Sequence, residues 1–218
     1  MKFTFQSLPT PHRVLAFLAL MGLHACSDPS SDPDRPLEEA ASRAGEIDQD
    51  TRQAIAKVGH EASTKLMKTL GGQLKAAMQS GGPETALQVC QQAAQPLTAS
   101  TSDSFTGAEV SRVSLRHRNP VNTPGAEARA VLEKWESSHA AGEALPAEEI
   151  VALSGEEALF LKPIMVQAIC LNCHGDPGAF SPVLRTKLSK LYPDDRAIGF
   201  AEGDLRGAFQ VRIRLPIE

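Results

Sequence analysis

Phe209-Gln210-Val211-Arg212-Ile213-Arg214-Leu215, near the end of this 218-residue chain, sets the fold class. Apolar Phe209, Val211, Ile213 and Leu215 alternate with polar Gln210, Arg212 and Arg214. A two-residue period predicts a strand of an antiparallel sheet with one face on the core and one solvated. Further back, Glu149 to Leu153 and Leu159 to Val166 are short extended candidates, and Val113, Leu115 and His117 alternate with Ser114, Arg116 and Arg118 as in a half-buried strand.

The helical signals come first. Ile47, Ile55, Val58, Ala62, Leu66, Leu70, Leu74 and Met78 recur at helical spacing, with Gly71 and Gly72 expected to weaken or bend the helix. Gly81-Gly82-Pro83 ends that region and opens a second helix, whose apolar stripe of Ala86, Leu87, Cys90, Ala93, Ala94 and Leu97 puts Cys90 on the buried face. A third helix carries Val131, Leu132 and Trp135 inward, after the break at Asn119 to Gly125. Ser181-Pro182 reads as an N-cap and first helical residue, with Val183, Leu184, Leu188 and Leu191 inward. Helices leading and strands clustering later predict an α+β domain.

The N-terminus reads as targeting sequence. Lys2 and Arg13 precede an uncharged apolar run from Val14 to Leu23, too short to span a bilayer comfortably. Leu23-His24-Ala25-Cys26 resembles a lipoprotein cleavage site, so residues 1–25 are expected to be a signal peptide and Cys26 a lipidated N-terminus. Residues 26–36 read as lipidated cysteine and solvated tether, leaving 37–218 as the folded domain. That places the protein facing the periplasm, anchored to a membrane; Ser27 after the cysteine favours the outer membrane. The formal charge of −4 becomes −6 without Lys2 and Arg13, and nothing suggests nucleic-acid binding.

Between the extended candidate that ends at Val166 and the helix start at Ser181 lies Cys170-Leu171-Asn172-Cys173-His174. Two thiols separated by two residues on a tight turn reach the two vinyl groups of one porphyrin, and the next residue directs imidazole at the iron. The alternatives are a dithiol redox pair or half of a zinc site. Neither finds a second cysteine pair or a thioredoxin-like start, and export favours one covalent c-type haem on Cys170 and Cys173, with His174 on iron.

The sixth position on iron is open to Cys90, Met67, Met78, Met165, His60, His117 or His139 by residue type. Cys90 stands out as an unpaired thiol on an apolar helical face. Arg112, Arg116 and Arg118 share one face of the expected strand and are candidates for binding haem propionates. No acid–base pair beside the motif commits the chain to catalysis.

Several stretches together resemble the PAS-like c-type haem domains, long catalogued as a domain of unknown function. They are Val89-Cys90, Arg116-His117-Arg118-Asn119-Pro120-Val121-Asn122, Cys170 to Gly175, Tyr192 to Ala197 and Gly203 to Ala208, and the likeness runs over about residues 45–216. The resemblance implies a PAS-like antiparallel sheet with long helices, one c-type haem, and iron held between His174 and the Cys90 thiolate. It also implies a redox or gas sensor, so a signalling or redox protein partner and a small gaseous ligand are expected. A single-electron carrier is equally compatible. The rival functions are a haem enzyme oxidising a small sulfur compound such as thiosulfate, and an open-site peroxidase-like or gas-binding protein.

Overall fold

The computed structural model describes residues 47–217. The expected signal peptide, Cys26 and the tether lie outside the described residues.

Helix α1 runs Gln49–Gln88, opened by Asp48, whose carboxylate accepts the Thr51 N–H at 2.9 Å. Ile55, Ala62 and Leu66 are buried along one stripe, with Val58 and Leu70 beside them, as the periodicity requires. Gly71 and Gly72 do not bend it, and a Cβ at either would meet open space. The break falls at Gly81 and Gly82, the latter at φ 69°, a left-handed conformation natural to glycine. Pro83 then starts the second limb, where its missing N–H costs little.

A wide π-helical turn, Val89–Ala93, follows and carries Cys90, before α2 continues over Ala94–Ser102. The sequence reading expected an unbroken helix here. Pro96 supplies the reason for the difference: it has no N–H for the Gln92 carbonyl, and its ring crowds that oxygen, so the turn before it opens out.

Strand β1 (Ala108–Val113), helix α3 (Ala126–Ala140), strands β2 (Glu149–Ser154) and β3 (Glu157–Met165), the single-turn α4 (Leu171–His174), α5 (Pro182–Leu191) and β4 (Leu205–Arg214) complete the chain. The sheet is antiparallel throughout, in the order β1-β4-β3-β2. The α+β class, with an antiparallel sheet behind a long N-terminal helix, is as expected. Ser181 caps α5 through its hydroxyl, which accepts the Leu184 N–H at 3.0 Å.

One face of the sheet packs Phe160, Val211 and Ile213 against Ile55, Ala62 and Leu66 of α1. The contact is close enough that a Cβ on Gly59 would overlap the Phe160 ring. The other face packs Leu159, Leu161 and Ala208 against Val131, Leu132 and Trp135 of α3. The expected solvated face is thus partly covered, and four successive β3 residues, Ala158 to Leu161, are all buried.

The strand expected across residues 113–118 is a correction. β1 stops at Val113, and the chain turns where the Ser114 N–H bonds to the Asn122 carbonyl at 3.0 Å. Arg116 and Arg118 therefore do not share a strand face with Arg112. Their guanidiniums find fixed carbonyls and a carboxylate in the 195–198 segment, which a continued ladder would place out of reach.

Candidate functional site

The attachment segment hangs from the end of β3. The Val166 N–H bonds to the Asp204 carbonyl at 2.8 Å and the Gly203 N–H returns to Val166 at 2.9 Å, pinning the exit of β3 beside the start of β4. A 3-10 turn, Ala168–Cys170, leads into α4. Cys170 and Cys173 stand three residues apart here; the Cys170 sulfur accepts the Gln167 N–H at 3.4 Å, and Cys173 packs beside Leu87, Phe180 and Leu184. The turn ends at Gly175, whose N–H bonds to the Leu171 carbonyl at 3.0 Å; a Cβ there would stand 2.6 Å from that oxygen.

His174 is held by its outer nitrogen. Nδ1 lies 2.6 Å from the Ala197 carbonyl, which can only accept, so the proton sits on Nδ1 and Nε2 keeps its lone pair. The backbone closes around the residue: the Phe200 N–H bonds to the His174 carbonyl at 3.0 Å and the Gly199 N–H to the Gly175 carbonyl at 2.7 Å. Burial pushes the imidazole well below its ordinary value, the Arg118 and Arg206 cations push the same way, and the Ala197 bond opposes them. The ring is neutral at pH 7, the form that binds a metal.

Arg118 ties this frame together. Its Nε donates to Asp195 Oδ2 at 2.9 Å in a buried ion pair, and its Nη2 donates to the Cys173 carbonyl at 2.5 Å and the Ala197 carbonyl at 3.2 Å. Asp195 Oδ1 accepts the Ala197 N–H at 2.8 Å. The carbonyl that orients His174 is thus held from both sides. Arg116 donates to the carbonyls of Arg196 and Ile198 and lies 3.8 Å above the Phe200 ring, which meets His174 edge-on at 6.4 Å between ring centres.

Cys90 is half-buried in its wide turn, and burial raises its thiol while Arg118, Arg112 and Arg206 draw it down. Cys173 is pushed up to about 11, chiefly by burial, with Cys90 adding to the rise and Arg118 countering it. Cys90, Cys173 and His174 therefore share the field of Arg118. Cys90, Cys170 and Cys173 are all free thiols. The other sixth-ligand candidates have other settings. Met67 is 48% exposed, Met165 is 37% exposed, His60 faces Glu148 at 3.4 Å and the Phe160 ring, and His139 lies in the last turn of α3. His117 keeps a buried Nδ1 with no partner.

Arg206 carried no expected role, yet it belongs here. Its Nη1 donates to Ser114 Oγ at 2.8 Å and to the Arg116 carbonyl at 3.1 Å. The available signal was an arginine between Leu205 and Gly207 at the buried start of β4, where a charge needs a reason. A cavity of 390 Å³ flanks the attachment turn, between Pro83 and Glu84 of α1, Leu171 and Asn172 of α4, and Phe180 and Leu184.

Two free thiols on one turn, a neutral imidazole with Nε2 available, a further thiol nearby and a buried, partnerless Arg112 Nε fit a covalently held haem. Among the described residues there is no cluster of three or more His, Cys, Asp or Glu side chains placed to hold a bare metal ion.

No curated protein matches the chain. Among solved structures, the crystal structure of the cyanobacterial heme-protein Tll0287 is similar in fold, with a TM-score of 0.53 and 23% identity over 79% of this chain and 99% of that one. The Tll0287-like family model matches residues 32–214, from within the segment before the described domain to the last residue of β4. On that match, the chain belongs to the Tll0287-like family.

Proposed function

We propose that the chain is an exported monohaem c-type protein that works in single-electron exchange, as a redox or small-ligand sensor or an electron carrier. The observation that carries this reading is the Nδ1 bond of His174 to Ala197 beside the two free thiols of the same turn. An imidazole so held has its Nε2 ready for iron before any cofactor arrives. The similarity in fold to a haem protein supports it.

In this reading Cys170 and Cys173 would hold the haem through thioether bonds, and His174 and Cys90 would bind its iron. A haem so held supplies reversible one-electron exchange, with a low potential where thiolate favours the ferric state. Arg118 and Asp195 orient His174 and exclude water from its outer face. The burial that keeps Cys90 protonated in the free chain is offset by bonding to a cation.

The leader and Cys26 support lipid anchoring on the periplasmic side, with the outer membrane favoured, and a protein partner would receive the electron or the signal. Among the described residues no helix is long and apolar enough to cross a membrane.

The test is haem staining after denaturing electrophoresis, combined with the ferric electron paramagnetic resonance spectrum of the native protein. A haem-bearing polypeptide with a low-spin thiolate-type signal is expected. Loss of haem on boiling in detergent would defeat covalent attachment, and a high-spin ferric spectrum would indicate an open site.

A further inference from the structure

Arg112, Arg116, Arg118 and Arg206 gather around one space. Arg206 lies in the field of the other three cations and of one carboxylate, Asp195. Four positive charges meet one negative charge here, and Arg112, Arg118 and Arg206 are largely withdrawn from water. Desolvated cations are costly without counter-charge, so the occupant of this space has to bring negative charge.

The four are not equivalent. Arg118 is committed to Asp195 and to the Cys173 and Ala197 carbonyls. Arg116 is committed to the Arg196 and Ile198 carbonyls and to the face of Phe200. Arg112, in β1, differs: its Nε is buried with no partner, a donor prepared for an acceptor that the protein does not supply. Arg206, in β4, makes its side-chain hydrogen bonds through Nη1 alone, on Ser114 and the Arg116 carbonyl, and its guanidinium lies 5.4 Å from the Phe200 ring centre. Burial, the largest cause, brings Arg206 down to about 10, and burial also lowers Arg112. Both lie in the field of Cys90, so the space they face adjoins that thiol.

We propose that Arg112 and Arg206 form a carboxylate seat, and that it takes the two propionates of the haem, an assignment that rests on the haem reading above. The seat replaces the expected trio of Arg112, Arg116 and Arg118: Arg112 stays, Arg206 joins it, and the other two frame the site. Planar guanidiniums suit carboxylates because two parallel N–H donors meet two oxygens. Neighbouring strands β1 and β4 carry the pair, which fixes its spacing more firmly than a loop would.

The test uses the full holoprotein and its Arg112→Gln, Arg206→Gln, Arg206→Lys and Arg116→Gln variants. Covalent haem content is measured first, then the reduction potential from acid to alkaline pH. Arg112→Gln and Arg206→Gln should keep the covalent haem, lower the potential and introduce a pH dependence near neutrality, because a carboxylate without its guanidinium protonates at higher pH. Arg206→Lys should restore most of the wild-type profile. Arg116→Gln also removes a cation, but should lower the potential without the new pH dependence. Wild-type pH profiles in both glutamine variants, with haem retained, would overturn the seat and leave the haem reading standing. A wild-type potential that moves with phosphate concentration at constant ionic strength would assign the space to a free anion and overturn it too. Isolation of the wild type without covalent haem would overturn the haem reading and the seat together.

Discussion

His174 Nδ1 lies 2.6 Å from the carbonyl oxygen of Ala197, a residue 23 positions later in the chain. That bond selects the ring nitrogen left for a metal, and Arg118 shares the same carbonyl at 3.2 Å. A cation donating to the acceptor of a histidine withdraws charge from it, so the pair holds the imidazole without pushing it toward imidazolate.

Breaking the buried pair should therefore be severe. Asp195→Asn or Arg118→Gln is expected to lose about 3–5 kcal/mol, because each leaves a charge without its partner in a site where both side chains are under 10% exposed. Urea denaturation of each variant reads the loss. A change below about 1 kcal/mol, the range of an exposed pair, would show that the pair is not buried in solution.

Cys90→Ser should preserve covalent haem, since Cys170 and Cys173 are untouched, yet abolish the thiolate-type ferric signal and raise the reduction potential. Electron paramagnetic resonance and potentiometry on one preparation check both. An unchanged spectrum would exclude Cys90 as a ligand and direct attention to His117, with its partnerless buried Nδ1.

The sheet–helix contact at Gly59 has no spare volume. Gly59→Val should cost at least about 1–3 kcal/mol through overlap with Phe160, and Phe160→Ala about 3–5 kcal/mol through the cavity it leaves. In the double variant valine occupies part of that cavity, so the two losses should be less than additive. Thermal unfolding of all three variants gives the coupling, and simple additivity would show that the two residues do not touch.

Acid should destabilise the haem-free chain through His174. Its folded value lies well below 6.5, so as pH falls below about 6.5 the unfolded chain takes up a proton that the folded chain refuses. This contribution is intact above the unfolded value and is lost progressively down to the folded one. Comparison of urea midpoints between pH 8 and pH 5 for haem-free wild type and haem-free His174→Gln isolates it. Equal slopes in the two would mean that His174 titrates normally when folded.

The attachment turn was legible in the sequence because its chemistry is local: five consecutive residues carry both thiols and the imidazole, on a 3-10 turn that runs into one turn of helix. The α+β class was legible because α1 and β4 bury one face each, and a residue's burial then follows its position in the period. Ser181 and Pro182 marked the start of α5 for the same reason, since capping depends on nearest neighbours. Tertiary structure decided the rest. The alternation at residues 113–118 was indistinguishable from a strand until Asp195 and the Ala197 and Ile198 carbonyls were seen to capture Arg118 and Arg116 from about 80 residues away. Arg206 likewise reads in sequence as one more polar residue in an alternating strand. Its role comes from Arg112 on the facing strand, from Ser114 in the turn that follows that strand and from Cys90 on a distant helix, because the energy of a buried charge depends on what surrounds it in space and leaves no periodic trace along the chain.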